Sequence, residues 1–387
     1  KYLAEKWPLE RMLFRPADFY LKHNIQTLLG TRVAKLDVGE HVIELEAGRK
    51  ITWEKLLLAT GGAPIVPKIT GLNRKGVFTF TTLDDAKAID EYLTPSARAV
   101  VIGGGLIGVS AAEALVKRSV AVTIVEMKER ILNIMLDEEM SAREEAALRQ
   151  AGVNILTGHT VVEVFPGLLG NAANGVALDD GRRIPCNLVV VAIGVTPRTG
   201  LVAGTGLKVN RGIVVDQHMA ASGPDIYACG DVAEAYDFIY GENRLTPIWP
   251  NAYLGGRTAG FNMAGRPAEY AGGTAMNSLN YFGLDVVSAG MVNPVDGCEV
   301  LSYQNGQNYR KVVLQDGRVV GMVFAGSIEK AGIIVGLMKD RVNVDSFKKA
   351  LVAEDFGLAS LPAEIWRNGL ALPSEPASEP EKVGARI

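Results

Sequence analysis

Residues 45–64 (LEAGRKITWEKLLLATGGAP) and 178–197 (LDDGRRIPCNLVVVAIGVTP) follow one pattern without a gap, at a constant offset of 133. In each copy a glycine, Gly48 or Gly181, closes a polar turn and Ile51 or Ile184 opens an extended run. Leu56–Leu58 or Val189–Val191 then supplies a strand apolar enough to be buried, and Ala-x-Gly follows. So long a period excludes a solenoid and marks a duplicated domain. The chain must therefore fold as two related α/β halves, and 387 residues at 48% apolar content provide the two or three cores that a duplicated domain plus a third unit requires.

A glycine-rich loop precedes the second copy. Arg98-Ala-Val-Val-Ile-Gly103-Gly-Gly105-Leu106-Ile107-Gly108 sets G-x-G-x-x-G after a strand and before a helix whose apolar residues Ile107, Ala111, Ala114 and Leu115 keep the 3.6-residue period. Gly103 permits the tight turn, Gly105 lets backbone approach a pyrophosphate, and Gly108 lets helix and strand pack closely. The helix N-terminus then offers free N–H groups and positive potential to phosphates. The next strand, Val120–Val125, ends at Glu126, 23 residues past Gly103, where a carboxylate accepts both ribose hydroxyls of NAD(H). Lys128 and Arg130 lie close enough in sequence to hold a 2′-phosphate, which keeps NADP(H) as the alternative. The plainer alternative is a glycine turn that binds nothing. Shifted by the repeat offset, the loop's counterpart falls upstream of residue 1, so the chain is expected to be N-terminally incomplete, its first half lacking a first strand and phosphate loop.

Alternation of Val33, Leu36, Val42, Ile43, Leu45 and Ile51 predicts an antiparallel meander over 31–58. Helices are predicted from an N-cap at Thr82 to Leu93, over 137–151 with a stop at Gly152, over 251–263 and over 328–341. Short strands are expected at 212–215 and 225–228. From Thr274 onward, Asn305-Gly306 and Asp316-Gly317 between alternating apolar runs are hairpin signals. The stretch from Pro373 through Lys382, rich in Pro, Ser and Glu, has little to bury and is expected to be a disordered tail.

A net charge of −3, with both signs interspersed, leaves no footprint for nucleic acid or anionic lipid. The apolar runs are strand-sized and the first residues carry no signal-peptide pattern, so the protein reads as cytoplasmic with no membrane segment. Cys186, Cys229 and Cys298 show no CxxC or CxxxxC spacing, and His23, His41, His159 and His218 are scattered, so no metal site is expected.

Ile226-Tyr-Ala-Cys-Gly230-Asp231-Val ends a short strand in Gly-Asp. Asp231 either meets a ligand at the strand's C-terminal end or simply caps a helix. With this motif the sequence closely resembles the flavoprotein pyridine nucleotide-disulfide oxidoreductase superfamily: LLLATG at 56–61, VVIGGGLIG at 100–108, VVVAIGVTP at 189–197 and IYACGDVA at 226–233 occur in that superfamily's order. The resemblance implies FAD, with Thr60-Gly61 as a crossover beside the flavin and Asp231 on its ribitol chain. It places Val33, Ala59, Thr60, Gly61, Gly230, Asp231, Trp249 and Ala252 at the FAD site. It places Gly103, Gly105, Leu106, Ile107, Gly108, Glu126 and Gly194 at the NAD site. The segment Tyr309–Gly321 looks most like the rubredoxin reductase and nitrite reductase flavoprotein branch, and Lys1-Tyr2-Leu3 resembles the end of a motif whose lysine lies beside the flavin, making Lys1 the catalytic candidate. Trp249-Pro250 resembles the segment covering the flavin edge in electron-transferring members; simple packing is the alternative for Trp249.

The implied fold is α/β: two duplicated Rossmann-like domains with β-meanders plus a C-terminal α+β interface domain. The expected layout is an FAD domain from 1–82 and 198–266, an NAD(H) domain at 83–197, an interface domain at 267–365 and the tail at 366–387. Two departures matter. Where the superfamily usually carries a glutamate after the nucleotide loop this sequence has Ser110, with Glu113 one turn on, and it has no redox cysteine pair. The expected function is a FAD-dependent NAD(P)H oxidoreductase passing electrons to rubredoxin, ferredoxin or a metal-containing partner subunit, in a possible homodimer. The alternatives are a cysteine-based NADH oxidase or coenzyme A disulfide reductase, and a nucleotide-binding subunit without flavin catalysis.

Overall fold

The computed structural model describes residues 2–167 and 170–365, so Lys1 and the 366–387 tail lie outside the described residues. The chain forms two compact units, one ending at Leu284 and the other starting at Asp285.

The first unit contains the duplication. Its larger sheet has five parallel strands in the order Val77–Thr79, Leu188–Val191, Arg98–Ile102, Ala121–Glu126, Asn154–Thr157. Val100, Val101, Ile124, Val189 and Val190 are fully buried, as expected for strands covered on both faces. The Leu106–Val116 and Glu138–Gln150 helices follow the second and third of these strands in sequence. Asp137 caps the latter helix by accepting from Met140 N–H at 3.1 Å, and Gly152 (φ +89°) ends it. Thr82 and Asp85 form a reciprocal capping box on the Leu83–Tyr92 helix.

The other half pairs Leu56–Leu58 in parallel with Ile226–Ala228. Around them lie Leu36, Leu58, Ile213, Met219, Val232 and Ala259 as a separate core. Both predicted meanders are present, as the antiparallel sheets of Val33–Asp37, Val42–Leu45, Lys50–Thr52 and of Val161–Pro166, Ala173–Leu178, Arg183–Ile184. The two copies of the repeat also pair with each other. Gly62–Pro64 runs antiparallel to Val195–Pro197, with Ala63 opposite Thr196, its own counterpart at the repeat offset. A local twofold therefore passes through the crossover that joins the halves. Gly61 (φ +66°) and Gly194 (φ +119°), also counterparts, make the left-handed turns leading into it.

The second unit holds antiparallel strands Leu284–Gly290, Arg318–Ala325, Asn308–Gln315 and Glu299–Asn305, in that spatial order, with the Ala331–Lys339 helix packed on Arg318–Ala325. Both predicted hairpins occur, and Asp316 (φ +50°) and Gly317 (φ +69°) take the paired left-handed geometry of a two-residue turn.

One buried group works against stability. Glu144, on the Glu138–Gln150 helix, is fully buried with neither carboxyl oxygen hydrogen-bonded among the described residues, and burial followed by the charge of Glu113 pushes it up to about 8. Its folded pKa exceeds its unfolded one, so the native chain binds the extra proton and stability falls as pH rises from about 4.5 to about 8. Glu144→Gln is expected to stabilise the fold at pH 8 and above by a free energy on the order of a few kcal/mol, seen as a higher unfolding midpoint, and to change little near pH 4. Thermal melts across that range check it.

Candidate functional site

At the nucleotide loop, sterics explain the glycines. Gly103 sits at φ +105°, and a Cβ there would meet Ala192 O at 2.5 Å. A Cβ on Gly104 would meet Ile131 Cγ2 at 2.6 Å, and one on Gly108 would meet Gly103 O at 1.9 Å, so loop and helix are in direct backbone contact. Gly105, by contrast, faces open space, where a ligand's phosphates would approach. Leu106, Ile107 and Gly108 precede the first intrahelical bond, Val109 N–H to Gly105 O at 2.9 Å, and so present helix N-terminal N–H groups at that opening.

Glu126 closes this loop from the neighbouring strand. One carboxylate oxygen accepts Gly104 N–H at 2.6 Å and the other accepts Lys128 N–H at 2.8 Å. Each oxygen retains a lone pair for a ribose hydroxyl. The Arg130 guanidinium reaches Asn133 O at 3.5 Å, whereas the Lys128 side chain is exposed.

The flavin-type residues gather where two parallel strands end together. Leu56–Leu58 and Ile226–Ala228 are in register, and Cys229 N–H donates to Leu58 O at 3.1 Å, so Ala59-Thr60-Gly61 and Gly230-Asp231 lie side by side. Thr60 Oγ1 donates to Arg198 O at 2.9 Å, and Arg198 N–H to Gly61 O at 2.9 Å, fastening this corner to the second repeat. Ile65 N–H donates to Gly194 O at 2.9 Å, which ties in the left-handed turn of the second repeat. Gly230 (φ +73°) faces Ala252, whose Cβ a side chain at 230 would meet at 3.7 Å. Val33 opens the first meander strand, paired opposite Leu45.

Asp231 caps no helix. It lies in a three-residue 3-10 turn, Gly230–Val232, and the Ala-rich stretch after it is the strand Ala233–Asp237. Its carboxylate is half-buried, makes no hydrogen bond among the described residues, and is pushed up by burial. An unpaired acceptor at a strand's C-terminal end suits the hydroxyls of a cofactor chain. Both cofactor classes therefore fit the residues present: open backbone N–H donors at one site, an unengaged carboxylate at the other.

Trp249 opens the Trp249–Met263 helix and is not packed away; it is 64% exposed. It stacks on Tyr253 (centroids 5.8 Å, 17° between planes) and meets Phe14 edge-on at 5.1 Å. Arg15 lies over Phe14 at 4.3 Å. The helix starts two residues before the predicted 251, which makes Tyr253 the i+4 neighbour of Trp249; neither Tyr253 nor Phe14 was singled out from the sequence. The Ser110 hydroxyl, where a glutamate was expected, lies 2.7 Å from Tyr281 Oη, and Glu113 pairs with Lys117 at 3.2 Å. Cys186 and Cys229 are buried, and burial pushes both thiols up, Cys186 to about 12, so neither is a ready thiolate. Among the described residues one His–carboxylate group, His159 with Asp179 and Asp180, has metal-like spacing, and Arg182 already supplies it with positive charge at 2.6 Å from Asp180.

The pyridine nucleotide-disulphide oxidoreductase family matches residues 4–256, and the rubredoxin NAD+ reductase C-terminal domain matches residues 276–342. The chain belongs to the pyridine nucleotide-disulphide oxidoreductase family. It is accordingly an NAD(P)H-dependent flavoprotein oxidoreductase with FAD and a nicotinamide nucleotide as cofactors. It is 31% identical over 364 residues to the NADH-dependent phenylglyoxylate dehydrogenase subunit epsilon of Aromatoleum evansii, covering 92% of this chain and 86% of that one. It is 29% identical over 360 residues to the nitrite reductase [NAD(P)H] large subunit of Klebsiella oxytoca, covering 89% of this chain but 37% of that longer one. The crystal structure of the covalent putidaredoxin reductase–putidaredoxin complex aligns with a TM-score of 0.83 and 28% identity over 91% of this chain and 85% of that one. Among the described residues no helix is long and apolar enough to cross a membrane.

Proposed function

We propose that this chain is the reductase component of a redox system, taking reducing equivalents from NADH and passing them to a separate carrier protein or partner subunit. The observation that carries this reading is the paired arrangement of an open N–H-lined loop at 103–108 and an unengaged Asp231, in halves joined by the Gly62–Pro64 and Val195–Pro197 crossover. FAD, when bound, accepts a hydride from the nicotinamide and releases electrons one at a time.

The chain's own residues bind and orient. The Leu106, Ile107 and Gly108 N–H groups would hold the dinucleotide's pyrophosphate, and Glu126 its ribose hydroxyls. Gly194, hydrogen-bonded to Ile65, would set the turn beside the nicotinamide. Asp231 would hold the flavin's polyol chain, with Thr60, Gly61, Gly230 and Ala252 shaping the corner around it and Ala59 and Val33 at its edge. Lys1 remains the candidate flavin-side lysine of the proposal. The exposed Phe14, Trp249 and Tyr253, flanked by Arg15, offer a face on which a carrier of the ferredoxin or rubredoxin kind would dock. A partner of this type is in keeping with the named partner in the putidaredoxin complex and with the subunit naming of the relatives. Residues 267–365 are proposed as the interface domain, toward that partner or a second copy, with the remaining limits at 82 and 197 as drawn from the sequence.

NADH is proposed as the donor because the Glu126 carboxylate stands where a 2′-phosphate would add negative charge. Glu126→Gln keeps an oxygen for Gly104 N–H and removes that charge. The NADH-over-NADPH preference in kcat/KM is expected to fall about tenfold or more, the order of one charged hydrogen bond. The reading as a whole is tested by steady-state assays with NADH and an added ferredoxin, rubredoxin or artificial one-electron acceptor. Reduction of such acceptors is expected; turnover with molecular oxygen alone would favour the NADH oxidase alternative.

A further inference from the structure

The proposed chemistry makes no use of Glu144. Its carboxyl is fully enclosed and has no hydrogen-bond partner among the described residues, as is true of the Ser141 hydroxyl one turn earlier on the same helix. A buried polar group left without a partner calls for a reason, since an apolar residue of similar size would be cheaper there.

The groups around Glu144 come from three elements. The nucleotide-loop helix supplies Glu113, which is held by Lys117 at 3.2 Å and accepts weakly from Phe282 N–H at 3.5 Å. The Met276–Tyr281 strand, packed on the Glu144 helix, supplies Tyr281. The Asn154–Thr157 strand, also packed on it, carries no charged residue. On Glu144's own helix Arg143 pairs with Glu139 and Arg149 with Glu145, which also accepts Ile131 N–H.

Tyr281 is the connection to the nucleotide loop. Its hydroxyl lies 2.7 Å from Ser110 Oγ and donates to Leu106 O at 3.4 Å. Leu106 and Ser110 occupy the first turns of the helix that starts at Gly105, where phosphates would bind. The phenol keeps its proton through the neutral and alkaline range, because burial, eased by the Ser110 bond, pushes it up to about 12.

We propose that protonation of Glu144 is linked to dinucleotide binding at the 103–108 loop, which makes Glu144 a positioning residue that acts through Tyr281. This rests on the reading that NADH docks at that loop. Neutral Glu144 leaves the Tyr281 hydroxyl to Ser110 and Leu106. An ionised Glu144, enclosed and with no other donor in reach, competes with Ser110 and Leu106 for the phenol's hydrogen bond and loosens the helix's first turn. Phosphates arriving at the loop add negative charge nearby, so by linkage they favour the neutral acid, and binding takes up a proton where Glu144 is otherwise partly ionised.

The test is isothermal titration of the FAD-loaded full chain with NADH, from about pH 7.5 to about pH 9.5, a window in which ordinary histidines keep a constant charge. Running it in two buffers of different ionisation enthalpy counts the protons taken up. For the native protein, affinity is expected to weaken about fivefold across the window, the low end of coupling between linked sites, with net proton uptake near pH 8. Glu144→Gln is expected to hold its lower-pH affinity throughout and to take up none. Tyr281→Phe is expected to lose the slope in affinity while keeping the pH dependence of thermal stability, which a merely structural role for Glu144 would not separate. Equal slopes in the native and Glu144→Gln proteins would overturn the inference. Absence of NADH binding at every pH would instead overturn the reading of the loop itself, and this inference with it.

Discussion

Gly108→Ala is expected to weaken NADH binding by about ten- to a hundredfold while leaving FAD content unchanged. The added Cβ falls 1.9 Å from Gly103 O, a backbone atom that cannot swing aside as a side chain would. Relief requires the helix to move off the strand or the loop to open, and overpacking of this kind costs about 1–3 kcal/mol. Any such shift also displaces the Leu106 and Ile107 N–H groups that would meet the pyrophosphate. Calorimetric titration with NADH measures the loss and flavin absorbance measures retained FAD. An affinity within twofold of the native value would show that the loop is not the dinucleotide site. Gly105→Ala serves as the contrast: its Cβ enters open space, so it should spare the fold and affect binding alone.

Asp231→Ala is expected to produce a folded protein that loses FAD on dialysis and with it NADH-dependent electron transfer to any acceptor. Asp231 has no hydrogen-bond partner among the described residues, so the substitution orphans none of them; burial in fact disfavours its charge. Hydrogen bonds to a charged partner are worth about 1.5–3 kcal/mol each, so even one lost contact with a cofactor hydroxyl lowers affinity about ten- to a hundredfold. Circular dichroism unchanged with flavin absent is the expected pair of observations. Full retention of FAD with native activity would remove Asp231 from the site.

Much of this was legible because the signals were steric or periodic. The repeat at 45–64 and 178–197 fixed two related halves, and G-x-G-x-x-G in strand–loop–helix context located the nucleotide loop, since only glycine fits against Ala192 O and Gly103 O. The Asn305-Gly306 and Asp316-Gly317 hairpins followed from turn chemistry. What stayed hidden depends on partners far away in the chain. Val77–Thr79, three residues long, becomes a strand only by lying beside Leu188–Val191. The Gly62–Pro64 and Val195–Pro197 pairing was implicit in the offset, yet nothing local announces that two copies of a turn will hydrogen-bond to each other. Ser110 looked like a missing carboxylate, but its hydroxyl is engaged by Tyr281, 171 residues on. Glu144 sits in a run of charged residues (EEMSAREEAALRQ) that reads as a solvated face, yet it is fully buried on a helix packed against the Asn154–Thr157 and Met276–Tyr281 strands.

In the proposed electron path, a nucleotide held at the 103–108 loop would deliver its electrons to FAD held beside Asp231. Anaerobic addition of NADH to the FAD-loaded full chain, followed by the flavin's visible absorbance, tests it most directly. Bleaching at stoichiometric NADH in the native protein, and at far higher NADH in Gly108→Ala, is the predicted result. A flavin band left unchanged while calorimetry shows NADH bound would contradict it.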